Sequence, residues 1–429
     1  MRFLGVTETC DLGALYLRLQ DEGHQVKIAI SEPGARGTLA GLIEQVEDWR
    51  GALDWIRAAG PEGVILFESV SEGFGALQDA LRADGFQVIG GSGFGDRLEN
   101  DRAFAQALLA QHGFPQGHIH AFSDAADADA FIDTHPNRYV LKFSGPHFSS
   151  SDNYIGQLPD GRDVQSMLRR RRGMTGRFIL MDFIEGIEMG IGAYFDGMHF
   201  IQPACLDWEH KRFFAGDMGE LTGEMGTVAT FDRSALFFER TLGRIESLLR
   251  KHNHIGYINL NTIVNAQGIW PLEFTCRFGY PGFAVLTPLQ QTPWGALFRM
   301  MLRHGPPAFA TESGFSVGVL LTTPPFPYTR KQVDEPIGLP VLFEGELDGE
   351  DRRNLHIGEA GLKDGELVTS GLYGWTMVVT GCGSTIEDSR QAAYSRVQRV
   401  HIPNMRYRLD IGERLVAGDL RRLEQMGYI

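Results

Sequence analysis

The chain has 429 residues, 43% hydrophobic and 22% charged, with a formal charge of -14 and a pI near 5.4. This acidic excess argues against nucleic acid as a partner, since a phosphate backbone needs basic surface, but it leaves room for one basic pocket that holds a nucleotide. Four scattered cysteines form no CxxC pair and disfavour zinc or a disulfide framework, no run reaches the ~18 apolar residues of a membrane helix, and the first residues read as a strand, so a cytoplasmic setting is expected.

From residue 1 to 99, apolar strands at 3–6, 26–30, 63–67 and 87–89 alternate with helical patterns at 12–20, 39–59 and 75–83. Such alternation builds a parallel sheet covered by helices, with ligands beyond the carboxyl ends of its strands. Between 100 and 315 the order becomes mixed. Helices are predicted at 101–112, 125–134 and 236–251 among strands at 118–122, 139–143, 178–183, 189–195, 200–205, 256–264 and 268–274. Loops rich in serine or glycine fall at 144–153 and 215–226. This order suits two α+β lobes closing on a ligand, the lid lobe at about 118–190. From 316 to 429, strands at 317–321, 341–344, 367–372 and 375–380 and a helix at 386–400 predict a small β-rich closing domain.

Charged residues interrupt this pattern at telling places. Lys142 sits in the apolar strand Tyr139-Val-Leu-Lys142, where an unpaired ammonium is costly and a phosphate would satisfy it. Glu209-His210-Lys211-Arg212 precedes Asp217-Met-Gly219-Glu-Leu-Thr222-Gly223-Glu-Met225-Gly226, cationic side chains beside glycines whose N–H groups can approach an anion. Pro271-Leu-Glu273-Phe-Thr275-Cys-Arg277 carries a carboxylate and a guanidinium at a strand end. Plainer readings exist for each: a salt bridge for Lys142, a strand-end carboxylate for Glu273, a surface turn for Asp217, a helix first turn for Arg102 and a cap for Glu68. The arginine run at 169–172 reads as a solvated helix face, His147 as a loop residue and Cys276 as a packed small residue.

In order and spacing these segments resemble the phosphoribosylamine–glycine ligase family of the ATP-grasp superfamily along nearly the whole chain. Further matching segments are Ser316-Val-Gly-Val-Leu320, Val368-Thr-Ser-Gly371, Gly381-Cys-Gly-Ser-Thr385 and Tyr407-Arg-Leu-Asp-Ile-Gly412. The resemblance implies an N-terminal parallel α/β domain at 1–99, a two-lobed ATP-grasp domain at 100–315 and a C-terminal β-rich domain at 316–429. It implies a ligase that uses ATP and magnesium to join a carboxylate to an amine through an acyl phosphate, as in purine biosynthesis. The substrates would be an amino acid such as glycine and an amine, and the protein a monomer or homodimer. By the same resemblance Lys142 and Arg102 meet ATP phosphate, Asp182, Phe183 and Ile184 meet adenine, and Glu188 holds the ribose. His210, Lys211, Asp217, Gly219, Thr222, Gly223, Met225, Gly226 and Glu68 serve the substrates. Glu273, Thr275 and Asn261 hold magnesium, and Arg277, Asp217 and Lys142 are catalytic.

The chain also departs from the family. The family's G-x-G-x-R-E-H segment, which receives a ribose phosphate, is here Gly5-Val-Thr-Glu8-Thr-Cys-Asp11-Leu-Gly13, whose Glu8 and Asp11 would repel one. That suggests a changed acceptor amine. Arg102 replaces a lysine, the segment 145–152 replaces a glycine loop, and Thr275 replaces a metal-binding asparagine, with Asn261 or Asn259 as the help Glu273 would need. These losses also motivate an alternative: an inactive relative that binds a nucleotide or a partner.

Overall fold

The computed structural model describes residues 1–143, 153–170, 177–304, 308–327 and 337–429. His147 with its loop, and Arg171 and Arg172, lie outside the described residues.

Near the N-terminus five parallel strands line up in the order Glu44–Gln45, Gln25–Ile30, Arg2–Thr7, Gly63–Phe67 and Gln87–Ile89. Their side chains alternate between two cores. Phe3, Val64 and Leu66 pack on one side with Leu12, Leu15 and Leu19 of the first helix region, and Leu4, Val6, Ile65 and Phe67 pack on the other with Ile56 and Leu81. Burial on both faces is why these strands read as unbroken apolar runs.

The helix expected over 39–59 does not form as one piece. The segment holds a short strand, a 3-10 turn at Trp49–Ala52 and a helix at Leu53–Arg57. Leu39 has φ +56 and gives its N–H to the Ala360 carbonyl, while the Ala40 carbonyl accepts from Leu362 N–H. Hydrogen bonds to a distant segment take the groups that a helix would use.

The lid is a four-stranded antiparallel sheet in the order Ile119–Phe122, Phe178–Asp182, Tyr139–Phe143 and Tyr154–Ile155. The helices Ala125–Thr134 and Arg162–Arg170 pack on it through Ala128, Ile132, Val164 and Leu168 against Tyr139, Leu141 and Leu180.

The central sheet has eight antiparallel strands: Gly268–Thr275, Ile255–Asn265, Ile187–Asp196, Phe200–Glu209, Gly226–Thr230, Phe315–Thr322, Trp375–Gly383 and Leu355–Ile357. Three of these strands come from the C-terminal third, where a separate small sheet is expected from the sequence. The strand Phe315–Thr322 is buried nearly end to end, so both its edges need partners, and it finds them in Gly226–Thr230 and Trp375–Gly383. Among the described residues two short ribbons remain for the C-terminal segment itself, Ala360–Lys363 with Glu366–Thr369 and Leu342–Phe343 with Val400–His401.

The helix expected over 236–251 breaks into Ala235–Arg240, a turn at Leu242–Ile245 and Glu246–Lys251, because Thr241 leaves helical geometry at φ -127 and ψ -99. In the glycine-rich segment, Met218–Leu221 pairs with Arg212–Phe214.

Candidate active site

Strand periodicity builds the site. On the central sheet Met189, Ile191 and Ala193 point into the apolar core with Leu206, Ile258 and Leu260. The alternate residues face the other way. Gly190 lies opposite both Asp207 and Asn261, Asn261 opposite Glu273, and Asn259 opposite Thr275 and Gly192. Directly opposed residues share a face, so one surface gathers Glu188, Asp207, Glu209, Asn259, Asn261, Glu273 and Thr275. The two glycines make this surface possible. A Cβ on Gly190 would lie 2.1 Å from the Asp207 carboxylate, and one on Gly192 would lie 1.9 Å from the Tyr257 hydroxyl.

Lys211 is the centre of this surface. Its Nζ lies 3.0 Å from Glu188 Oε1 and 3.2 Å from both Glu209 Oε2 and Glu273 Oε1. Asn261 Nδ2 donates to Glu188 at 3.0 Å and to Glu209 at 3.1 Å, and Asn259 Nδ2 donates to Asp207 at 2.6 Å. Burial opposes the charge on Lys211, yet Glu209, Glu188 and Glu273 raise its pKa well above the ordinary lysine value. Lys211, with Arg102 and Lys142, holds Glu273 below the usual carboxylate range against burial. Lys142 reaches this group from the lid. Burial, with Arg102 adding to it, lowers its pKa to about 7. Arg102 Nη2 donates to the Leu272 carbonyl at 3.4 Å, beside Glu273.

A cavity of about 230 Å³ opens beside this cluster. Its lining includes Glu209, Lys211 and Glu273 from this cluster, together with Asp11, Tyr280 and Trp375. Arg277 lines it too, its Nε 3.1 Å from Glu99 Oε1.

Replacing Lys211 by Met leaves three carboxylates facing one another. Glu188 and Glu273 are partly open to water, which screens them. The expected cost is therefore about 2 kcal/mol, below the ~3–5 kcal/mol of breaking a fully buried pair. Thermal melts of Lys211→Met should show that loss, and added magnesium should restore more stability to the variant than to the parent protein.

Several residues expected at the site are elsewhere. Both oxygens of Asp217 are held by arginines, Arg408 at 2.7 Å and Arg414 at 3.0 Å, and the residue does not line the cavity. His210 is buried, and its Nε2 accepts the Gly412 N–H at 3.1 Å. Burial and the neighbouring Arg408 push its pKa down to about 4, so it is neutral and anchors the C-terminal segment. Met225 is core, and Gly226, at φ +155, lets its strand approach the Gly318 carbonyl. Gly219 turns beside Phe214, and Thr222 donates its hydroxyl to the Lys211 carbonyl at 2.7 Å, which positions Lys211. Of the glycine-rich segment only Gly223 and Glu224 reach the cavity. Glu68 accepts from Thr7 and Tyr16 hydroxyls and from the Asp11 N–H, so it shapes the first loop and Asp11 lines the cavity in its place. Asp182, Phe183 and Ile184 sit where the lid joins the central sheet, with Asp182 3.4 Å from His120 and the Phe183 N–H on the Arg138 carbonyl.

Lining residues given no role from the sequence include Asp207, Glu209, Glu224 and Trp375. A signal existed for the first two, since Asp207 and Glu209 are acids at alternate positions of a strand whose other residues, Gln202 apart, are apolar.

Comparison with known proteins agrees with this architecture. Residues 100–283 match the family model of the phosphoribosylglycinamide synthetase ATP-grasp (A) domain, and residues 316–414 match that of its C domain. The phosphoribosylamine–glycine ligase of Nostoc sp. is 26% identical over 410 residues, covering 91% of this chain and 94% of the relative. That of Caulobacter vibrioides is 28% identical over 357 residues, covering 79% and 80%. Among solved structures, the phosphoribosylamine–glycine ligase of Thermotoga maritima superposes with a TM-score of 0.70 at 20% identity, covering 96% of this chain and all of the other. Two domain models of one family, in order and together spanning more than half of the sequence, settle the assignment: the chain belongs to the phosphoribosylglycinamide synthetase family of ATP-grasp proteins.

Proposed function

We propose that this chain is an ATP-dependent carboxylate–amine ligase, which forms an acyl phosphate from a carboxylate and ATP and passes the acyl group to an amine. The observation that carries the reading is the convergence of Lys142, Arg102 and Lys211 with Glu188 and Glu273 where the lid meets the central sheet. Transfer of a phosphoryl group needs positioning and neutralisation of anionic oxygens more than covalent help. Lys142 and Arg102 supply positive charge on the nucleotide side, and Arg277 faces the cavity where the acyl oxygens would lie. The same assembled charges favour an active ligase over an inactive relative. A cytoplasmic setting and small-molecule substrates, glycine among them, belong to this proposal.

The residues present fit a magnesium ion. Among the described residues no three His, Cys, Asp or Glu side chains are disposed to hold a metal unaided. Magnesium does not need that, because it is commonly held by one or two carboxylates and completes its shell with phosphate oxygens and water. Glu188, Glu209 and Glu273 carry three formal charges against the one of Lys211, so a divalent ion suits the remainder. Glu273 would hold it, with Thr275 beside it and Asn261 orienting the neighbouring carboxylates. When bound, the ion would neutralise phosphate charge.

The test is ADP formation by the purified protein with ATP, magnesium, glycine and hydroxylamine, which captures an acyl phosphate as a hydroxamate whatever the natural acceptor. Hydroxamate and ADP in equal amounts support the ligase. Nucleotide binding without either product from a panel of amino acids would overturn it.

A pH dependence follows from Lys142. Its pKa is lowered to about 7 in the free protein, so its charge is lost as pH rises through 7. Triphosphate binding restores the proton, and the Kd for ATP should rise by up to about tenfold per pH unit above neutrality. Calorimetry in buffers of different ionisation enthalpy should show the proton taken up. Lys142→Arg, which stays charged, should flatten the profile.

A further inference from the structure

Beside Glu209 and Lys211 the cavity carries two buried acids that lack hydrogen-bond donors. Asp207 and Glu224 are each 7% exposed, both line the cavity, and Asp207 Oδ1 and Glu224 Oε1 have no hydrogen-bond partner among the described residues. A buried carboxylate oxygen without a donor is costly, so the group completing this place must bring N–H or O–H. The two cations on the lining are already matched, Lys211 by three glutamates and Arg277 by Glu99. A phosphate there would bring further acceptors to Asp207 Oδ1 and Glu224 Oε1, which already lack donors, and those acids, raised by burial, could meet it only in their protonated forms. Beside these acids Tyr280 stacks on Trp375 with ring centroids 5.5 Å apart, a flat aromatic wall that lines the cavity and whose Tyr280 Oη and Trp375 Nε1 also lack a hydrogen-bond partner among the described residues.

We infer that the acceptor is an unphosphorylated primary amine, entering as its ammonium between Asp207 and Glu224 with an aromatic or apolar body against Tyr280 and Trp375. The inference rests on the ligase reading above and names its acceptor class. An ammonium offers three donors and one positive charge, which answers both orphaned oxygens. The aromatic wall suits the cation's carbon frame and, by its ring faces, the charge itself. The step balances. The ammonium gives one proton to Glu224, and the freed nitrogen pair bonds to the acyl carbon. The bond from that carbon to the phosphate oxygen breaks, its electron pair leaving with the phosphate, which takes the second nitrogen proton. Burial, with Glu209 and Asp207 nearby, raises the Glu224 pKa well above that of a free carboxylate, which fits a group that accepts a proton from an ammonium.

The experiment uses the full chain with ATP, magnesium and whichever amino acid yields a hydroxamate. Phosphate release is then compared for benzylamine, phenethylamine and phosphoribosylamine generated in place. The expected result is a kcat/KM for an arylalkylamine at least about tenfold above that for phosphoribosylamine. Glu224→Gln should lower the ratio of amide to hydroxamate by about 100-fold and move the pH at which the amide rate is half-maximal, because neutral hydroxylamine brings no ammonium proton. Faster turnover with phosphoribosylamine, or a Glu224→Gln variant with an unchanged ratio and pH profile, would overturn the inference while hydroxamate formation kept the ligase reading intact. No hydroxamate from any amino acid would remove the ligase reading, and this inference with it.

Discussion

Lys142→Ala is expected to cut ATP-dependent turnover by at least about 100-fold while leaving the protein as stable as before, or slightly more so. The two halves of this expectation come from one fact. Lys142 sits among Arg102 and Lys211 at the inner edge of the lid, in a place that lowers its pKa to about 7 by burial. The free protein therefore bears a cost for that charge, and deleting the side chain removes the cost. A triphosphate repays it, so the loss falls on nucleotide binding and on the charged transition state. Steady-state ADP release and a thermal melt of the same sample check both halves. Turnover within a few-fold of the parent would take Lys142 out of the site, and a large fall in melting temperature would make it a structural residue.

Arg408→Ala should be the most destabilising of the polar substitutions considered, at about 3–5 kcal/mol. The Arg408 side chain is fully buried, with Nη2 2.7 Å from Asp217 Oδ1, Nε 2.5 Å from Asp410 Oδ1 and Nη1 3.0 Å from the Arg212 carbonyl. It clamps the C-terminal segment to the loop that carries Gly223 and Glu224 into the cavity. Asp410 in turn accepts the Gly216 N–H at 2.9 Å. Removing the guanidinium leaves Asp410 with the Gly216 N–H alone and one oxygen of Asp217 without its donor. Arg408→Lys keeps the charge but lacks the fork that meets three partners, and should recover less than half of the loss. Urea denaturation measures both variants. A loss below about 1 kcal/mol for Arg408→Ala would mean that the loop is held by other contacts.

Asp217 shows where sequence reading stops. Its carboxylate among glycines, after His210, Lys211 and Arg212, fits an amine ligand by chemistry alone. Its true partners, Arg408 and Arg414, lie nearly two hundred residues away, and no local pattern connects them. His210 fails in the same way, since its partner is the Gly412 N–H. Lys142 and Glu273 were legible because a charge in an apolar strand needs an explanation within the strand itself. Asp207 and Glu209 obey the same logic but fall beyond the end assigned to their strand, at residue 205, which hid their alternation; the strand runs on to Glu209. The central sheet was legible strand by strand from its two-residue period, whereas its continuation into the C-terminal third depends on which edges pair, a property of the folded chain. The broken helix at 39–59 belongs to this class as well: its fate is set by Ala360 and Leu362.

One crystal structure would test the central claim most directly: the protein with magnesium and a non-hydrolysable ATP analogue. The triphosphate should run between Lys142 and Arg102, with the metal on Glu273 and the terminal phosphate turned toward the cavity that Arg277 lines. A nucleotide bound elsewhere, with Lys142, Lys211 and the three glutamates unchanged and no metal among them, would contradict the account.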